Sequence, residues 1–192
     1  TGTFTVGGSA VGGASTLGAL SDATTPATGN LGLGSSALDS ITTGDYNVGV
    51  GEKAGKVITT GGKNTAVGYK SLKANTTANQ NTAIGYLSLT ANITGANCTA
   101  VGANTLITNT TGEGGTAMGE GALRFNTIGT RNTAYGSTAC YKNTTGNYNT
   151  GMGRSALEDN TSGSNNASFG YYALGNSTTA SSNTAVGYES LL

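Results

Sequence analysis

The side chains with which this chain could do chemistry are few: two cysteines, nine carboxylates, nine lysines and arginines, and nine tyrosines among 192 residues, with no histidine. Without imidazole, Ser-His-Asp and Cys-His nucleophiles and histidine-ligated metals are out of reach. General acid–base work by paired carboxylates would need Glu158 with Asp159, or Glu113 with Glu120, to converge on one substrate. Neighbours on a strand point to opposite faces, and turns hold solvated carboxylates, so no catalytic pair is assigned. Gly49-Val50-Gly51-Glu52-Lys53-Ala54 spells a dinucleotide-binding phrase, as do residues 32–37 and 151–156. Such a phrase cradles a pyrophosphate only where a helix follows, and none fits here. Gly55-Lys56 and Gly62-Lys63 lack the first glycine of a phosphate loop, which is replaced by Val50 and Val57. The chain is expected to be no enzyme and to carry no cofactor and no metal.

The elements that would position any of these residues are set by a repeat, which has to be sought before secondary structure. Asn64-Thr65-Ala66-Val67-Gly68-Tyr69-Lys70-Ser71-Leu72 returns at Asn81–Leu89 and again at Asn183–Leu191. Taking the glycine as anchor gives Gly34, Gly51, Gly68, Gly85, Gly102, Gly119, Gly136, Gly153, Gly170 and Gly187, every step 17 residues long. One residue before the anchor stands a large apolar side chain, two before it a small one, four before it mostly Asn, and four after it mostly Leu. Asn-Thr-Thr-Gly spacers such as 109–112 and 143–146 read as turns, because Asn and Gly accept positive φ. The Asn-x-Thr triplets that resemble glycosylation sites are explained as the same repeat, with Asn side chains stacking along an axis.

Seventeen residues are too few for a helix pair but suit one coil of a solenoid. The fold expected is all-β: a parallel β-solenoid, or β-roll, of about ten coils over residues 30–192, with strands such as 65–69. Residues 1–29 leave the register and read as a Gly/Ser/Thr-rich linker, cap or docking strand, with Phe4-Thr5-Val6 as a short β stretch. Alternation along each strand sends the large and small columns to opposite faces. The large column with the leucines is expected to be the core: Val67 and Leu72, Ile84 and Leu89, Val101 and Leu106, Met118 and Leu123, Met152 and Leu157, Phe169 and Leu174, Val186 and Leu191. The Ala/Gly column is then left for close approach to another subunit. Two large apolar groups per coil bury too little to offset the ordering of 17 residues, which predicts an oligomer.

Cys140 falls in the leucine column and Cys98 in the asparagine column. Their anchors are two coils apart, about 9–10 Å, too far for a disulfide. Tyr69, Tyr86, Tyr171 and Tyr188 follow their anchors directly and are candidates for glycan or subunit contact. A balanced charge and no basic stripe argue against nucleic acid, and no apolar run approaches the roughly 18 residues of a membrane span. No capping segment follows Leu192, and no initiating Met or leader is present, which reads as a fragment, a processed product or a unit capped by another chain.

The Asn-Thr-Ala-Val-Gly-Tyr-x-Ser-Leu unit with its Asn-Thr-Thr-Gly spacer resembles the repeats of tailed-bacteriophage tail fibres and other virion appendages, over roughly residues 20–192. It is more loosely similar to the head repeats of trimeric autotransporter adhesins, which are shorter. The resemblance implies a homotrimeric, non-enzymatic fibre shaft or adhesin segment located on a virion appendage or otherwise outside the cell. Alternatives from the residues are a shaft that grips surface polysaccharide through its tyrosines, an end-to-end filament in which residues 1–29 cap the next subunit, and an ice-binding face built on the Thr column at 65, 82, 99, 116, 133 and 150.

Overall fold

A computed structural model describes the backbone of Thr5–Val6 and Ser9–Ala10, and residues 27–192 in full. Strands β1 (Thr5–Val6) and β2 (Ser9–Ala10) pair antiparallel. The role expected of residues 1–29 falls almost wholly outside the described residues. Ten further strands follow: β3 (Leu31–Leu33), β4 (Val48–Val50), β5 (Thr65–Val67), β6 (Thr82–Ile84), β7 (Thr99–Val101), β8 (Thr116–Met118), β9 (Thr133–Tyr135), β10 (Thr150–Met152), β11 (Ala167–Phe169) and β12 (Thr184–Val186). They form one ten-stranded parallel sheet in chain order, each residue facing the one 17 positions on. The chain is a parallel β-solenoid, and no helix occurs among the described residues.

Each strand is three residues long because its anchor glycine ends it. Gly102 has φ of +131°, which L side chains rarely adopt, and a Cβ there would lie 2.8 Å from the Gly119 carbonyl oxygen. The anchors therefore stack as bare backbone along the whole axis. Beyond the bend, hydrogen bonding between coils continues where no strand exists. Leu38 N–H donates to Ala54 C=O at 3.0 Å, and Thr42 N–H to Thr59 C=O at 2.9 Å. Stability lost through a thin core is partly recovered by backbone pairing around the coil.

The core is not the one expected from the large column. Val67, Val101 and Met118 are only half-buried, Ile84, Met152 and Phe169 are exposed, and Val186 is 72% exposed. Buried instead is the small column: Ala66, Ala83, Ala100, Ala117, Ala134, Ser168 and Ala185. The reason is width. A Cβ on Gly49, in that column, would stand 2.8 Å from Leu38 Cγ and 3.1 Å from the Ala54 carbonyl oxygen of the opposite wall. Even one methyl group is too close there, and elsewhere the column admits nothing larger than Ala or Ser, so the large side chains must turn outward.

Leu72, Leu89, Leu106, Leu123, Leu157 and Leu174 do fill the interior, with Cys140 standing in for leucine, while Leu191 is exposed where no strand pairs beyond β12. These leucines have positive φ, from 47° at Leu106 to 54° at Leu157. The left-handed conformation costs about 1–2 kcal/mol, and burying the side chain returns about 1.5–3, so burial prevails. In the second coil Gly55 takes the leucine position, and Ile58 and Leu38 crowd the space a side chain would need.

Two files of buried asparagine complete the interior. In the first, Asn47 N–H donates to Asn30 Oδ1 at 2.7 Å, Asn64 to Asn47 and Asn81 to Asn64, each Nδ2 reaching a carbonyl 14 residues on. Cys98 and Gly115 interrupt it before Asn132 resumes the file. The second runs from Asn75 to Asn160, with Asn109 Nδ2 donating to Asn92 Oδ1 at 2.8 Å. Both files converge on one carbonyl per coil, as Asn81 and Asn92 do on Gly95. Buried amides so occupied explain why the repeat needs asparagine, and leave Asn75, which opens an Asn-Thr-Thr triplet, shielded from modification.

Candidate interaction surface

Strand alternation places two columns on the outer face of the sheet. One runs Leu31, Val48, Thr65, Thr82, Thr99, Thr116, Thr133, Thr150, Ala167, Thr184. The other runs Leu33, Val50, Val67, Ile84, Val101, Met118, Tyr135, Met152, Phe169, Val186. At about 4.8 Å per strand this second column is an unbroken apolar ridge about 43 Å long. Ridges of that extent are uncommon on chains without a partner. The threonine column stands beside large apolar residues, and no second threonine column flanks it.

Past the glycine bend lie the tyrosines singled out by the sequence. Tyr69 and Tyr86 stack with ring centroids 5.5 Å apart and planes within 12°, and Tyr171 and Tyr188 with centroids 5.2 Å apart and planes within 15°. The fold thus brings the four together as two separate decks. Each deck has a cation: Lys70 Nζ lies 4.8 Å from the Tyr69 ring centre, and the Arg154 guanidinium 5.7 Å from that of Tyr171. The Glu189 carboxylate, which accepts a hydrogen bond from the Tyr188 phenol and adds its negative charge, holds that phenol above the ordinary tyrosine range. Rings stacked in this way cover one another's faces and present hydroxyl-bearing edges.

Two ion pairs form among the described residues. Lys53 Nζ meets Glu52 Oε1 at 2.7 Å, and Lys142 Nζ meets Asp159 Oδ1 at 2.8 Å. Glu158 and Asp159 therefore do not stand as an isolated carboxylate pair. Both cysteines are free and buried. Burial pushes the Cys140 thiol up to about 12 and raises that of Cys98 as well, so both stay protonated at neutral pH. Among the described residues no three His, Cys, Asp or Glu side chains gather as a metal cage. A shallow polar groove of about 390 Å³ lies elsewhere on the coil, lined by Asp45, Tyr46, Lys63, Asn79 and Gln80 among others.

Sequence reasoning missed the ridge because it assigned the same residues to the interior. The signal was present: the Ala-Gly-Ser restriction of the small column is what a narrow lumen demands. Compared with protein-family models, with curated proteins and with solved structures, the chain matches none. The class defined by the fold is the parallel β-solenoid, and the surface it offers is a lengthwise apolar ridge.

Proposed function

We propose that the chain is a structural shaft: an elongated segment of a phage tail fibre or a similar extracellular appendage, assembled side by side with copies of itself. The observation that carries this reading is the outward placement of ten large apolar residues in one ridge. A strip about 43 Å long and one three-residue strand (about 10 Å) wide offers roughly 430 Å², about half of the roughly 800 Å² per partner of a standard interface, so the turns flanking the ridge have to join the contact. Three copies packed ridge to ridge bury all three strips around one axis, and the coil axis becomes the fibre axis. The ridge takes the place that the Ala/Gly column, now buried, cannot fill.

Sedimentation equilibrium tests the proposal. The expected species is a trimer near three times 18.8 kDa. Val101→Asp combined with Met118→Asp should give folded monomers, because a charge in a desolvated seam is costly while both positions tolerate water in a single chain. A wild-type chain that sediments as a folded monomer overturns lateral assembly.

A further inference from the structure

Positive charge is concentrated at one end of the solenoid. Between Tyr46 and Gly112 stand five lysines and a single acid, Glu52, although the chain as a whole is neutral. Four of the five lie on two consecutive turns, Lys53 and Lys56 after β4, Lys70 and Lys73 after β5. Backbone bonds stack these turns: Lys70 N–H to Glu52 C=O at 2.9 Å, Gly55 N–H to Ser71 C=O at 2.9 Å, and Val57 N–H to Lys73 C=O at 3.2 Å. Lys53 thus sits one coil from Lys70, and Lys56 one coil from Lys73, about 4.8 Å along the axis.

The repeat does not call for this. No equivalent pair elsewhere has two cations: they include Ser36 with Asp39, Leu87 with Thr90, Asn104 with Ile107, Gly121 with Arg124 and Ser155 with Glu158. Like charges at that spacing repel by roughly 1 kcal/mol even in water. Two acids stand by the four lysines: Glu52 binds Lys53 and also feels Lys70, and Asp39 holds the Lys56 position one coil before without an ion pair to it, so the corner keeps a net positive charge. Lys56 and Lys73 form no ion pair among the described residues. Beside the lysines stands the Tyr69–Tyr86 deck, with Lys70 over its first ring.

We propose that this lysine corner, together with the Tyr69–Tyr86 deck, binds an acidic polysaccharide. The lysines meet carboxylates or other anions spaced along the polymer, and the phenolic edges meet its hydroxyls. Nucleic acid fits less well, because stacking takes one face of each ring and Lys70 lies over Tyr69, which leaves the outer face of Tyr86 as a single platform for a base. The corner lies past the glycine bend, off the sheet, so the inference goes beyond the shaft reading and does not rest on it.

The test measures binding of the whole chain to alginate (a polyuronate), to dextran and to duplex DNA, with oligomeric state measured separately. Alginate should bind and dextran should not, and affinity should fall at least about tenfold between about 0.05 M and about 0.5 M salt. Lys56→Glu with Lys73→Glu should abolish alginate binding while leaving the thermal melt unchanged, and Tyr86→Ala should weaken it about three- to tenfold. Absence of alginate binding, equal binding of dextran or DNA, or an unaffected double variant overturns the proposal, whichever oligomer is found.

Discussion

At the scale of single residues, asparagine decides how the interior is satisfied. Each amide in the second file after Asn75 gives one proton to the amide one coil before it and one to a carbonyl three residues on. The file ends at Asn160, whose Oδ1 is buried without a partner, because the next rung is Ser177, whose hydroxyl is also unpartnered. An orphaned buried acceptor costs about 1–3 kcal/mol. Ser177→Asn supplies the missing donor and is expected to raise stability by about 1 kcal/mol in urea denaturation. An unchanged or lowered midpoint would mean that the rung is not limited by this bond.

At the scale of one strand, the three residues Thr99-Ala100-Val101 divide the work between lumen and surface. Ala100→Leu forces a large group into a space one methyl wide and should cost at least about 2–3 kcal/mol. Val101→Thr, one residue away, should leave the stability of the single chain within about 0.5 kcal/mol. Comparable losses at both sites would contradict the assignment of inside and outside. The period, the parallel register, the buried leucines and the asparagine ladders were all readable in the sequence, because 17-residue spacing and alternation are properties of residue order. Which face of Thr-Ala-Val looks inward was not readable from hydrophobicity, since it is set by the width of the lumen. The short strands were hidden for a related reason. Leucine at positive φ, as at Leu72, breaks ordinary preference and is held there only by the coils above and below. Compensations such as Gly55 with Ile58 show the same interior volume being filled from a different position.

At the scale of the whole molecule, every coil contacts only its neighbours, and equivalent residues face one another throughout. Removing residues 103–119, one full coil, joins Gly102 to Glu120 and keeps every file in register. Such a variant should fold, with an unchanged far-UV spectrum per residue and a rod shorter by about 4.8 Å. Removing one residue fewer should instead break the glycine stack and the asparagine files beyond the junction, and lower the melting temperature sharply. If both deletions melt alike, register is not what holds the coils together.

The bare-backbone seam of anchor glycines makes successive units interchangeable, and this has a hereditary consequence. A gene built of near-identical units is prone to unequal crossing-over, which adds or removes whole units. Here an added or lost unit preserves the reading frame and the spatial register together, so such an event changes the reach of the rod and little else. Reach can therefore be adjusted in single genetic steps of about 4.8 Å, while a point substitution at any of the glycines is the costlier change.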